Sequence, residues 1–118
     1  MGLVSVEQAV QDMRSGKFLI IIDDEDRENE GDLAIAAEFV TADSINFMAK
    51  HGRGLICVPM LGQRLKALDL DLMVPKNTAQ HATAFTVSVD SNNGGTGISA
   101  HDRAITVQAL IDTGTKPE

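Results

Sequence analysis

Apolar runs with two different spacings divide the chain into predicted helices and strands. Apolar residues at helical spacing follow Ser5 and stop at Gly16, and Ser5 with Gln8 matches a capping box, so the first predicted element is an amphipathic helix. The continuous apolar run 18–22 includes three β-branched residues and predicts a strand buried on both faces. The run 33–39 predicts the strand that returns beside it.

The rest of the chain continues this alternation of helices and strands. The predicted elements are a helix capped by Thr41 and ended by Gly52, a strand over 54–59, a short helix over 61–70, a half-buried strand over 83–90 and a helix over 100–111 capped by Ser99. The buried positions expected in the first of these helices and in the last strand are Ile45, Met48 and Ala49, and Phe85, Val87 and Val89. We therefore predict one layered domain over residues 1–118, of the α/β or α+β class, with a mixed β-sheet flanked by helices.

Composition narrows the class of protein. The chain has 118 residues, of which 43% are hydrophobic and 23% charged, as in ordinary globular domains. A net charge of −7 and the lack of a basic patch argue against nucleic-acid binding. A single cysteine, with no apolar leader or long apolar span, predicts a cytoplasmic protein that does not bind membranes.

Most of the negative charge is concentrated between the first two predicted strands. Residues 23–32 hold seven of the 17 acidic residues of the chain. Crowded carboxylates raise one another's pKa unless a cation relieves them, and carboxylate oxygens are ligands for Mg²⁺, Mn²⁺ or Ca²⁺. An extended backbone would place Glu28, Glu30 and Asp32 on one face, so we expect these three carboxylates to converge.

Two other interpretations of the acidic segment are open. An acidic run is commonly a solvated surface loop, although the apolar runs on both sides would hold this one in place. A calcium loop of the EF-hand type is also suggested, because Asp26, Glu28, Glu30 and Gly31 match its first, third, fifth and sixth positions. That pattern fails at its twelfth position, which is Ala37 instead of glutamate, and the flanking runs resemble strands instead of helices.

Two further features could belong to a site. The glycine-rich stretch 91–97 leads into the predicted helix start at Ser99, where free backbone N–H groups could bind phosphate, although a capped helix after a turn explains the same pattern. Cys57 is expected to be a buried structural thiol, as free cysteines commonly are. His81 is expected to be exposed, without a second ligand nearby in the sequence.

Several motifs together resemble one enzyme family. Residues 23–33, DDEDRENEGDL, are similar to the signature of 3,4-dihydroxy-2-butanone 4-phosphate synthase of riboflavin biosynthesis. The similarity continues through 51–59, 83–87, 96–100 and 102–104. The resemblance implies a layered fold and a homodimeric lyase with active sites near the subunit interface. It also implies that D-ribulose 5-phosphate is converted to 3,4-dihydroxy-2-butanone 4-phosphate and formate with Mg²⁺ or Mn²⁺.

The resemblance also implies roles for single residues. Glu28 matches the metal-ligand glutamate of the family, Arg27 and Asp32 match substrate-contacting positions, and Glu30 is the candidate for acid/base assistance. Cys57 lies at a motif position near the active site. Substrate-binding candidates on the phosphate side are Thr96, Ser99 and Arg103.

One departure from the family concerns length. Family members continue beyond the position of Glu118 with an Arg-Ala-Gly-His-Thr-Glu-type motif that supplies a metal-binding histidine. None of His51, His81 and His101 lies in that context, so we expect an incomplete synthase domain that alone has little or no activity. The alternatives are a non-catalytic remnant that binds metal or sugar phosphate, and a calcium-binding structural module.

Overall fold

The computed structural model describes residues 2–118 as an α+β fold. Its elements are α1 (Val6–Arg14), β1 (Leu19–Ile22), β2 (Gly31–Ala34), a 3-10 turn (Ala37–Phe39), α2 (Ala42–Phe47) continued by a π-helical turn (Met48–Gly52), α3 (Gly62–Ala67) and α4 (Ala100–Ile111). The predicted class is confirmed. The sheet within residues 2–118 consists of β1 and β2 alone, which run antiparallel.

All the predicted helices form, because their start signals are local. The Ser5 hydroxyl accepts a hydrogen bond from the Gln8 amide (3.2 Å), although the Gln8 side chain bonds to Asp12 instead of completing the capping box. Thr41 caps α2 in a complete capping box with Ser44. Each cap satisfies backbone N–H groups that the first helical turn leaves unpaired.

The hairpin that carries the acidic segment is formed by β1 and β2. Its register pairs Ile22 with Gly31 and Leu19 with Ala34, so residues 23–30 form the connecting loop. The predicted burial of β1 on both faces is wrong, because 52–59% of Ile20, Ile21 and Ile22 is exposed and no third strand in residues 2–118 covers them. The predicted returning strand is confirmed only as far as Ala34, since the chain then turns into the 3-10 segment.

The core lies between α2, α4 and the 3-10 turn. Ile45 of α2 is 1% exposed and packs with Val40, Ala104 and Val107. The Gln108 side chain donates to the carbonyls of Ala37 and Val40, both at 3.1 Å, which ties α4 to the 3-10 turn. The prediction for Ile45 is confirmed and Met48 is partly buried against this core. Ala49 is exposed, contrary to the prediction.

The strands predicted over 54–59 and 83–90 do not form a sheet in the described residues. Residues 54–59 have no strand partner, and the second segment forms a single antiparallel bridge, between Leu72 and Thr86. Phe85, Val87 and Val89 are 44%, 44% and 40% exposed, so the apolar face that we expected to be half-buried is open. Alternation predicted extended chain correctly, but a strand also needs a neighbour.

Candidate functional site

The acidic loop is organised around Asp23, the first residue after β1. One carboxylate oxygen of Asp23 accepts the Glu30 amide (2.9 Å), and the other accepts the Glu28 amide (3.1 Å) and Nη1 of Arg27 (2.9 Å). The Asp23 amide also donates to the Glu30 carbonyl at 3.3 Å. Asp23 therefore fixes the backbone on both sides of the loop tip.

The electrostatics of Asp23 follow from these contacts. The backbone hydrogen bond from Glu30 is the largest cause that lowers the pKa of the Asp23 carboxyl, followed by the Glu28 amide and Arg27. Partial desolvation opposes this shift. Hydrogen bonds to the ionised form favour it, so Asp23 is an anion at neutral pH and holds Arg27 beside Glu28.

A tight turn at the loop tip changes where its carboxylates lie. The Asp24 carboxylate accepts the Asp26 amide (3.0 Å), and the Asp24 carbonyl accepts the Arg27 amide (3.0 Å). Asn29 has φ +52°, in the left-handed region, which interrupts an extended backbone between Glu28 and Glu30.

The predicted convergence of Glu28, Glu30 and Asp32 is therefore wrong in residues 2–118. No group of three His, Cys, Asp or Glu side chains that could hold a metal forms there. The alternation of an extended chain does not pass through a left-handed residue, which is why the sequence argument failed. Asp32 lies in β2 opposite Ile21 and is exposed.

Individual carboxylates of the loop nevertheless remain available to ligands. The Glu28 side chain is 34% exposed, and one of its oxygens lies 3.5 Å from Nη2 of Arg27. Glu30 is exposed and uses its amide, not its carboxylate, to bind Asp23. Mg²⁺ is commonly bound through one or two carboxylates while it keeps several waters, so these oxygen donors fit that ion chemically although they are too few to enclose it.

A second group of predicted residues lies around a cavity beside α4. This cavity has a volume of about 740 Å³ and is lined by Cys57, Thr96 and Arg103 together with many apolar side chains. Cys57 is exposed, so the prediction of a buried thiol is wrong, because the segment that carries it has no strand partner. The acidic loop lines neither this cavity nor a smaller one of about 410 Å³ next to the end of α4.

The start of α4 is capped by the side chains of the chain itself. The Ser99 hydroxyl accepts the Asp102 amide (3.0 Å), as predicted for a cap, and the Asp102 carboxylate accepts the Gly97 amide (3.2 Å). Nε of Arg103 donates to the Ile98 carbonyl (3.0 Å). Part of the predicted phosphate-binding capacity is thus occupied by internal hydrogen bonds.

Gly97 is required at this helix start by its surroundings. It has φ +79°, and a Cβ at this position would overlap the carboxylate of Asp90. Only glycine adopts this backbone conformation next to that carboxylate without strain. The glycine-rich stretch therefore has a steric reason that does not involve phosphate.

The sequence argument missed one organising residue, Asp23. It was grouped with its acidic neighbours, and only its position directly after an apolar run distinguishes it in the sequence. The histidines are exposed, as expected for His81, and the ring of His51 lies 4.6 Å from that of Phe47. None of the three forms part of a metal-binding group in residues 2–118.

The fold and the loop define a small α+β domain whose carboxylate-rich hairpin suits a divalent cation. The family model for 3,4-dihydroxy-2-butanone 4-phosphate synthase matches residues 7–118. The chain belongs to this family. No helix in residues 2–118 has the length and apolar character needed to cross a membrane.

Curated relatives and solved structures agree with this assignment. The chain is 52% identical to a 3,4-dihydroxy-2-butanone 4-phosphate synthase of Agrobacterium fabrum over 100% of the chain and 56% of the relative. It is 52% identical to the riboflavin biosynthesis protein RibBA of Porphyromonas gingivalis over 98% of the chain and 29% of the relative.

A crystal structure of such a synthase in complex with two magnesium ions superposes with a TM-score of 0.94. It is 44% identical and matches 98% of this chain and 54% of that one. The two-domain synthase RibBX of A. baumannii, 50% identical, superposes with a TM-score of 0.88 over 97% of this chain and 34% of that one. The chain thus spans about half or less of the length of these relatives.

Proposed function

We propose that this chain is the part of a synthase that carries the acidic hairpin loop. The proposed reaction of the whole enzyme is the conversion of D-ribulose 5-phosphate to 3,4-dihydroxy-2-butanone 4-phosphate and formate in riboflavin biosynthesis. The observation that carries the proposal is the family match over 7–118, which includes the complete acidic segment 23–33. We also propose a cytoplasmic homodimer as the working form.

The metal part of the proposal rests on Glu28. Its carboxylate is a hard oxygen donor, it is partly exposed, and Arg27 beside it is held by Asp23 instead of neutralising it at close range. A bound Mg²⁺ or Mn²⁺ would act as a Lewis acid that stabilises negative charge on the oxygens of the sugar. The solved relative with two magnesium ions supports the choice of cation.

The remaining roles are divided between the two groups of residues. Glu30 is exposed next to the proposed metal ligand and would take up and return the proton of the carbon beside the ketone, which needs a positioned base. Arg27 and Asp32 would orient the hydroxyl groups of the substrate. We assign the phosphate side to Thr96, Ser99 and Arg103, with Cys57 shaping the same cavity, because three of these four residues line it.

Formate release provides the test. We would insert this chain in place of the matched part of the Agrobacterium fabrum relative and assay formate from D-ribulose 5-phosphate. Glu28→Gln should abolish formate release, and a chelator should do the same to the unsubstituted chimera. Glu25→Gln is the matched control, because it removes the same charge from the same loop and the Glu25 side chain forms no hydrogen bond within residues 2–118.

The outcomes separate the alternatives. Full turnover by Glu28→Gln would refute the metal-ligand assignment. An inactive but folded unsubstituted chimera would favour a binding role without catalysis. The chain alone should release little or no formate, since it spans 56% of that relative.

A further inference from the structure

The amount of exposed surface is too large for a closed domain of this size. The chain exposes 9240 Å², whereas a folded monomer of 12.6 kDa exposes about 6,200 Å². Its radius of gyration of 15.4 Å also exceeds the roughly 13.5 Å expected for 118 residues. About 3,000 Å² of surface is thus uncovered, several times the roughly 800 Å² that one partner contributes to a standard interface.

Much of this surface lies around the large cavity beside α4. Residues 55–60 and 83–90 both contribute to its walls. Leu55 is 83% exposed, Met73 59% and Phe85 44%, and all three line it. A sugar phosphate is too polar to account for an apolar surface of this extent, whereas another polypeptide would bury it with a gain in free energy.

The backbone along the cavity has free hydrogen-bonding groups. Residues 55–60 form no backbone hydrogen bond within residues 2–118. The bridge at Thr86 uses the Phe85 carbonyl and the Val87 amide, which bond to Met73 and Asp71 at 2.9 and 3.0 Å. Because successive residues of an extended chain direct these groups to opposite sides, Thr86 and Ser88 present an open edge.

We infer that this apolar trough, formed by residues 55–60 and 83–89, is the docking surface for the other half of a synthase domain, which adds β-strands along both segments. The occupant is chosen by length: the matched synthase structure and the Agrobacterium fabrum relative both continue for nearly as many residues as they share with this chain. An uncovered area of about 3,000 Å² corresponds to the interior of one domain and exceeds a contact between two finished proteins. The inference rests on family membership and not on the proposed reaction.

The test combines this chain with a defined partner. We would co-express it with the part of the Agrobacterium fabrum synthase that lies beyond the match, as a separate polypeptide. A 1:1 complex is expected in sedimentation, with the amides of residues 55–60 exchanging hydrogen at least 100-fold more slowly than in the chain alone. Phe85→Lys should weaken the complex at least tenfold. Leu3→Lys is the control, because Leu3 is 92% exposed and does not line the cavity.

Two results would overturn the inference. One is a chain that stays monomeric and forms no complex, together with unprotected 55–60 amides in a single-chain fusion of the two parts. The other is a dimer of this chain alone that protects the same amides, which would make a second copy the occupant. None of these measurements uses substrate or metal, so a failure of the proposed reaction cannot be mistaken for a failure of docking.

Discussion

Replacing Asp23 with asparagine tests whether this side chain positions the acidic loop. Asparagine has a single acceptor oxygen, whereas Asp23 uses one oxygen for the Glu30 amide and the other for both Arg27 and the Glu28 amide. With its oxygen towards Arg27 and Glu28, asparagine loses one of the three hydrogen bonds, and in the opposite orientation it loses two. We therefore expect the Glu30 amide to be released first.

The expected size of the effect follows from the distance of Asp23 from the proposed ligand. Asp23 acts on Glu28 through its backbone amide and through Arg27, as an outer partner of a ligand does. Loss of such a partner lowers metal affinity by roughly 10- to 100-fold, and one lost bond out of three places Asp23→Asn near tenfold. Mn²⁺ titration of the chain measures the affinity, and amide exchange of Glu30 measures the positioning directly.

The control for this experiment is Asp26→Asn. It removes the same charge from the same loop, and the Asp26 carboxylate accepts no hydrogen bond within residues 2–118. Equal losses of Mn²⁺ affinity in the two variants would show that only charge matters. An unchanged Glu30 amide in Asp23→Asn would refute the positioning role even if the chain bound no metal.

Two further predictions concern pH and the start of α4. The pKa of Asp23 is lowered from its ordinary value of 3.8, so its contribution to loop stability is present above that value and is lost as the pH falls through the lowered one. The NMR shift of the Glu30 amide should therefore stay constant from neutral pH down to 3.8 and change below it; a change centred near pH 6 would contradict this. Gly97→Ala should destabilise the chain in urea unfolding by about 1–2 kcal/mol for its positive φ alone, and by more because of the overlap with Asp90. Gly94→Ala, whose added methyl lies 3.4 Å from its nearest neighbour, should cost less than Gly97→Ala, and equal costs would contradict the steric argument.

The local part of the fold could be predicted from the sequence because it depends on residues a few positions apart. The caps at Ser5, Thr41 and Ser99 were confirmed, since a capping side chain and the amides that it binds lie within one turn. The hairpin around the acidic loop was also predicted, from two apolar runs separated by a polar segment. Burial was not, because alternation indicates which residues share a face and not what covers that face.

The site divides in the same way. The sequence by itself determined that carboxylates are concentrated between two strands, and it identified Glu28, Arg27 and Cys57 through motif similarity. Only the tertiary structure decided that Asn29 interrupts the extended backbone, that Asp23 holds the loop, and that Cys57 is exposed beside an open cavity. The physical reason is that hydrogen-bond partners and covering surfaces are set by three-dimensional packing, which residue order along the chain does not specify.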